Sequence, residues 1–127
     1  VAGHTIAKES VLRRIPESAL SAARDNLHIL YCGTSHSQQV MEGMRGLMQY
    51  KAGDGARFDF TTDGTKVAGK LDIHYRGANG TDLSNDGVDG SGHTAYFNGT
   101  VAYLDTHADV NVVMWSWCSI EGHDVSI

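Results

Sequence analysis

The stretch Leu27-His28-Ile29-Leu30-Tyr31-Cys32-Gly33-Thr34-Ser35-His36-Ser37 decides how the rest of this chain is read. Its first six residues form a short, nearly continuous apolar run of strand length. Flanked by helical patterns, such a run predicts a strand buried on both faces, the habit of parallel sheets. Gly33 permits a tight backbone turn after it. From Ser37 to Tyr50, Val40, Met41, Met44, Leu47 and Met48 recur at helical spacing. Strand, turn and helix in that order open a βα unit.

The flanking sequence extends the pattern. Ile6, Val11, Leu12, Ile15, Leu20 and Ala23 predict helix from Ala7 to Asn26, broken where Pro16 starts a second helix. A short strand is predicted over Arg57 to Thr61, and an alternating one over Leu71 to Tyr75. Gly77 to Gly92 reads as a long polar loop and His93 to His107 as a helix. Val110 to Trp117, β-branched and aromatic, is the strongest strand of the chain. Helices alternating with strands imply an α/β fold with a parallel sheet. The expected architecture is a three-layer α/β/α sandwich, flavodoxin-like, over a single domain spanning 1–127. The chain starts at Val1 without methionine and stops at Ile127 after an apolar strand, so the domain is expected to be incomplete at its C-terminus.

Composition narrows the function. The 127 residues are 41% hydrophobic and carry a formal net charge of −5. No basic run exceeds Arg13-Arg14, so the electrostatic footprint of a nucleic-acid binder is missing. No apolar stretch approaches the roughly 18 residues of a membrane span, and no membrane insertion is expected. Cys32 and Cys118, the two cysteines, lie at strand ends and read as buried thiols. The seven histidines include no pair at metal-binding spacing. Asp82-x-Ser84-x-Asp86-Gly87 opens like a calcium loop, but its twelfth position is His93 rather than glutamate. Neither a metal nor a cofactor is expected.

Ligands of such sheets sit beyond the carboxyl ends of the strands, which singles out Gly33–Gln38, Arg76–Asp86 and Ser116–Asp124. Ser35 would stand at the mouth of the sheet near the start of a helix, placed to act as a nucleophile if a base is near. The plainer alternative is that Ser35 or Ser37 caps that helix. In the second loop Gly77 and Gly80 allow close backbone approach to a ligand, or form an ordinary turn. In the third, Trp115 and Trp117 share one strand face, as core packing or as a platform for a sugar ring. Glu121-Gly122-His123-Asp124 offers a carboxylate–imidazole cluster.

Gly33-Thr34-Ser35 after a strand resembles the first block of the SGNH (GDSL-type) hydrolases, and Arg76-Gly77-Ala78-Asn79-Gly80-Thr81 resembles their second. The resemblance implies an ester hydrolase in which Ser35 attacks the acyl carbon. The backbone N–H groups of Ser35 and Gly77 would then hold the oxyanion. It implies a small-molecule or carbohydrate ester as substrate. Thr34 stands where the family has Asp or Asn. The asparagine of the third block has no counterpart in Trp115-Ser116-Trp117-Cys118-Ser119, so Ser116 or Ser119 would substitute. The family's Asp–x–x–His would follow Ile127, with His123 and Asp124 as weaker candidates within the chain. Ala2 to Leu12 and Asn111 to Cys118 are similar to a group of uncharacterised bacterial secreted proteins, which implies a secreted or periplasmic location. Two other readings stand beside the hydrolase: a non-catalytic carbohydrate-binding module on an eroded scaffold, and a metal-dependent hydrolase using His36, His123 and Asp124.

Overall fold

The computed structural model describes residues 3–78 and 87–116. Two helices open the chain, α1 (Glu9–Leu12) and α2 (Glu17–Asn26). They are followed by β1 (His28–Gly33), α3 (Ser35–Tyr50), α4 (Asp54–Arg57), β2 (Asp72–Tyr75), α5 (Ala95–Leu104) and β3 (Val112–Ser116). The strands form one open parallel sheet in the order β2-β1-β3. Leu27 to Cys32 and Val110 to Trp117 were expected to run parallel in one sheet, and they are neighbours in it. They pair with Ile29 opposite Val112 and Gly33 opposite Ser116. The protein is thus a mixed α/β fold built on a small parallel sheet.

β1 occupies the centre because it is apolar after His28, and five of its six residues are buried. Successive side chains point to opposite faces of a strand. Ile29, Tyr31 and Ile73 pack with Met41, Met44 and Met48 of α3. Leu30 and Cys32, one residue out of phase, pack with Ala78, Tyr103 of α5 and Trp115. The methionines at positions 41, 44 and 48 satisfy the helical spacing that their sequence predicted.

Pro16 stands at the N-cap of α2 with extended backbone (ψ 145°) and so separates the two opening helices. The expected strand over Arg57 to Thr61 does not form. Asp54–Arg57 is a helical turn instead, and Phe60 alone bridges to Leu71. The local preference for strand is weak there, and a tertiary ion pair holds the helical turn just before it. Arg13 forks onto the buried Asp54 carboxylate, with Nη2 at 2.8 Å from Oδ2. Asp54 Oδ2 also accepts from the backbone N–H of Lys51 at 3.2 Å. The Arg13 guanidinium holds the Asp54 carboxyl below the ordinary carboxylate range.

Candidate functional site

The chain passes from β1 to β2 on one side of the sheet, then to β3 on the other side of β1. Where the strand order reverses in this way, a crevice opens beyond the carboxyl ends of the strands, and ligands bind there. The reversal lies between β1 and β3, at Gly33 and Ser116.

Gly33 is what lets these two strands meet. Its φ is +142°, and an added Cβ would collide with the carbonyl of Ser116. The close approach is locked by Thr34, whose N–H donates to the Ser116 carbonyl at 3.0 Å. The chain then turns directly into α3. Thr34 holds the N-cap position but makes no side-chain capping bond. Neither Ser35 nor Ser37 is the cap, which corrects that alternative. Ser37 is buried and donates from Oγ back to the Thr34 carbonyl at 2.7 Å.

Ser35 is the first residue of α3 and is exposed. Among the described residues neither its hydroxyl nor its backbone N–H has a hydrogen-bond partner. An unpartnered N–H at the start of a 16-residue helix carries the positive end of the helix dipole. His36 beside it is half-buried.

Gly77 lies two residues beyond β2. The ring of Tyr103 presses on it so closely that a Cβ would stand 2.6 Å from the ring carbons. Its N–H points back to the His74 carbonyl at 3.5 Å, a long bond that holds the donor weakly. Ser116 ends β3 with its hydroxyl already engaged, sharing a 2.7 Å hydrogen bond with the buried Tyr31 hydroxyl. As the substitute oxyanion donor suggested by sequence, Ser116 would first have to release Tyr31. Trp115 is half-buried among Leu30 and Cys32 and donates to Thr100 Oγ1 at 3.2 Å, so it belongs to the core. Trp117, Ser119, His123, Asp124 and most of the loop after Ala78 lie outside the described residues.

Two residues that sequence reasoning did not single out support this mouth. Tyr31 and Tyr75 face each other across β1 and β2 with ring centroids 6.1 Å apart. The Tyr75 hydroxyl reaches Ser37 Oγ at 3.3 Å. The signal was present as a repeated Tyr-x-Gly, in Tyr31-Cys32-Gly33 and Tyr75-Arg76-Gly77. Both strands place a tyrosine two residues before the glycine that turns the chain.

A second polar cluster starts at the opposite end of the sheet. His28 Nδ1 lies 2.8 Å and His74 Nε2 3.2 Å from Oδ2 of the buried Asp72. Lys66 Nζ, a donor only, stands 3.0 Å from His28 Nε2, which must therefore accept and leave the proton on Nδ1. Tyr103 donates its hydroxyl to His74 Nδ1 at 2.7 Å. Burial, with Cys32, Asp109 and Asp72 nearby, holds the Tyr103 phenol above its ordinary pKa and keeps it a donor. Every proton in the chain is thus directed toward Asp72.

His28, Asp72 and Asp109 also offer metal-ligand atoms within 4.8 Å of one another. Coordination through His28 Nδ1 would put an N–H on Nε2, facing the Lys66 ammonium donor. The residues present therefore fit a closed hydrogen-bond network better than a cation site. Asp72→Ala would leave two imidazole N–H groups without their buried acceptor. It is expected to lower stability by roughly 2–3 kcal/mol, read from the midpoint of urea unfolding. A midpoint unchanged from wild type would show that the network contributes no stability.

No protein-family model matches the chain, and neither a curated protein nor a solved structure does.

Proposed function

We propose that the protein is an SGNH-like ester hydrolase, its sheet and helices forming part of a three-layer α/β/α sandwich, with Ser35 as nucleophile. The observation that carries this reading is the state of Ser35. It offers a hydroxyl and a backbone N–H, both unpartnered among the described residues, at a helix start directly beyond the central strand. The strand order β2-β1-β3 agrees with the start of the flavodoxin-like order and puts Ser35 at its switch point.

In this mechanism a histidine removes the Ser35 proton as Oγ attacks the acyl carbon. That base is His123, or the histidine of the Asp–x–x–His block that the family carries further along. The oxyanion would be met by the N–H groups of Ser35 and Gly77, aided by the dipole of α3. The alcohol leaves with the proton from the histidine, and water releases the acyl group by the same route. The substrate is a small-molecule or carbohydrate-linked ester.

A second reading, a non-catalytic carbohydrate-binding module, is favoured by one observation. The Ser116 hydroxyl is bonded to Tyr31, where the family pattern has a free oxyanion donor. A fluorophosphonate probe separates the two, because it reacts with an activated serine and not with an ordinary one. Incubated with the full-length protein, the probe is expected to modify Ser35, located by peptide mass spectrometry. An unmodified protein would leave the binding module as the better reading. A label on a different serine would overturn the assignment of Ser35.

A further inference from the structure

Arg76 is the one non-glycine residue with positive φ among the described residues, at +59°. An arginine in the left-handed region is uncommon and strained, and such residues gather at ligand sites where the surroundings hold them. The conformation is held here by the Arg76 N–H, which donates to the Tyr31 carbonyl on the central strand at 2.8 Å. It turns the side chain back over the sheet end, with the guanidinium carbon 5.8 Å from the centre of the Tyr75 ring. The hydroxyl of that same ring touches Ser37, two residues from Ser35. Arg76 is exposed, and among the described residues its guanidinium has no ion pair and no hydrogen bond. Of the other described arginines, exposed Arg14 also lacks an ion pair but lies in the turn after α1, away from the sheet end. Arg13, Arg24, Arg45 and Arg57 each lie within ion-pairing distance of a carboxylate.

The geometry points to Arg76 as the residue that selects an anionic substrate, an ester whose acyl part carries a carboxylate. The inference rests on the ester-hydrolase reading of Ser35 and adds the class of ester. A guanidinium presents a planar fork that matches a carboxylate in two parallel hydrogen bonds. One arginine supplies one positive charge, which suits a monoanion better than a phosphate. The Tyr75 ring beneath it limits its rotamers, so less freedom is lost when the anion binds. The net charge of −5 gives the rest of the surface no general affinity for anions.

Two measurements test this separately from the nucleophile, both on the full-length protein. The first compares the p-nitrophenyl hemiester of succinate with neutral p-nitrophenyl butyrate. The wild type is expected to show a KM at least ten-fold lower for the charged ester. Arg76→Asn tolerates the left-handed backbone but lacks the guanidinium, and it is expected to abolish that preference through KM rather than kcat. Arg76→Lys restores part of it, because charge without the fork suffices only partly. The second measurement titrates Ser35→Ala protein with succinate by NMR. Binding at the Tyr75 and Ser37 resonances is expected, weakened at least ten-fold when Arg76→Asn is added. Equal KM values for the two esters, or succinate binding indifferent to Arg76→Asn, would overturn the assignment of Arg76 and leave the nucleophile standing. Arg76-dependent succinate binding in a protein that hydrolyses neither ester would uphold anion recognition and overturn the ester reading.

Discussion

Ester turnover by the full-length protein is expected to fall roughly 10⁴-fold or more in kcat when Ser35 is replaced by alanine. The magnitude follows from the role. Without the nucleophile there is no acyl-enzyme, and only binding and the oxyanion donors remain to help water attack directly. Stability should behave in the opposite way. Ser35 is exposed and its hydroxyl bonds to none of the described residues, so the substitution removes no bond among them. Alanine is also a better helix former than serine in the first turn of α3. The thermal midpoint of Ser35→Ala is therefore expected to match or slightly exceed that of the wild type. Ser37→Ala gives the contrasting result. The Ser37 hydroxyl is buried, donates to the Thr34 carbonyl and meets the Tyr75 hydroxyl, so its loss should cost about 1–2 kcal/mol. Turnover that survives in Ser35→Ala would transfer the chemistry to another residue while leaving the fold untouched.

The fold was legible where one segment carried its own signal. The run from Leu27 to Cys32 reads as a buried strand because only His28 interrupts its apolar residues. The run from Val110 to Trp117 reads as strand because it is β-branched and aromatic. Their parallel pairing then follows from the helices between them. The segment from Arg57 to Thr61 was misread because its local pattern is weak, and a distant residue holds the helical turn just before it. Arg13 reaches across forty-one positions to Asp54, and no window of sequence contains that contact.

The site was legible in part for a similar reason. Gly33 and Ser35 are adjacent to a strong strand, so their position at its carboxyl end follows from the strand itself. The hydroxyl contacts of Tyr31 with Ser116 and of Tyr75 with Ser37 depend on register, which a sequence does not display. The same holds for the network around Asp72. His28, His74 and Tyr103 come from three elements and meet only after β1 and β2 pair with His28 opposite Asp72. Alternation along β2 placed Asp72 and His74 on one face, but nothing local showed that this face is covered by α5.

Gly33→Ala is expected to be among the most damaging single substitutions in the chain, lowering stability by about 4 kcal/mol or more. Two costs combine. The backbone at φ +142° is one that L side chains rarely adopt, and the new methyl would occupy the space of the Ser116 carbonyl. Backbone cannot swing aside as a flexible side chain can. Relief requires β1 and β3 to part at their carboxyl ends. That would break the Thr34 to Ser116 hydrogen bond and the contact between the Tyr31 and Ser116 hydroxyls. Against a total of about 5–15 kcal/mol for a typical domain, the loss would leave little native protein at physiological temperature. The same chemical change within α3 supplies the control. Gly43 and Gly46 lie in the helix interior with nothing within 4 Å of an added Cβ. Gly43→Ala and Gly46→Ala are expected to stabilise by roughly 0.5–1 kcal/mol each, because alanine removes the entropic cost of ordering glycine in a helix. Urea unfolding of the three variants reads both signs in one experiment. An unchanged midpoint for Gly33→Ala would mean that β1 and β3 do not meet as closely as described, and that the crevice beside Ser35 is wider than a single tetrahedral intermediate needs.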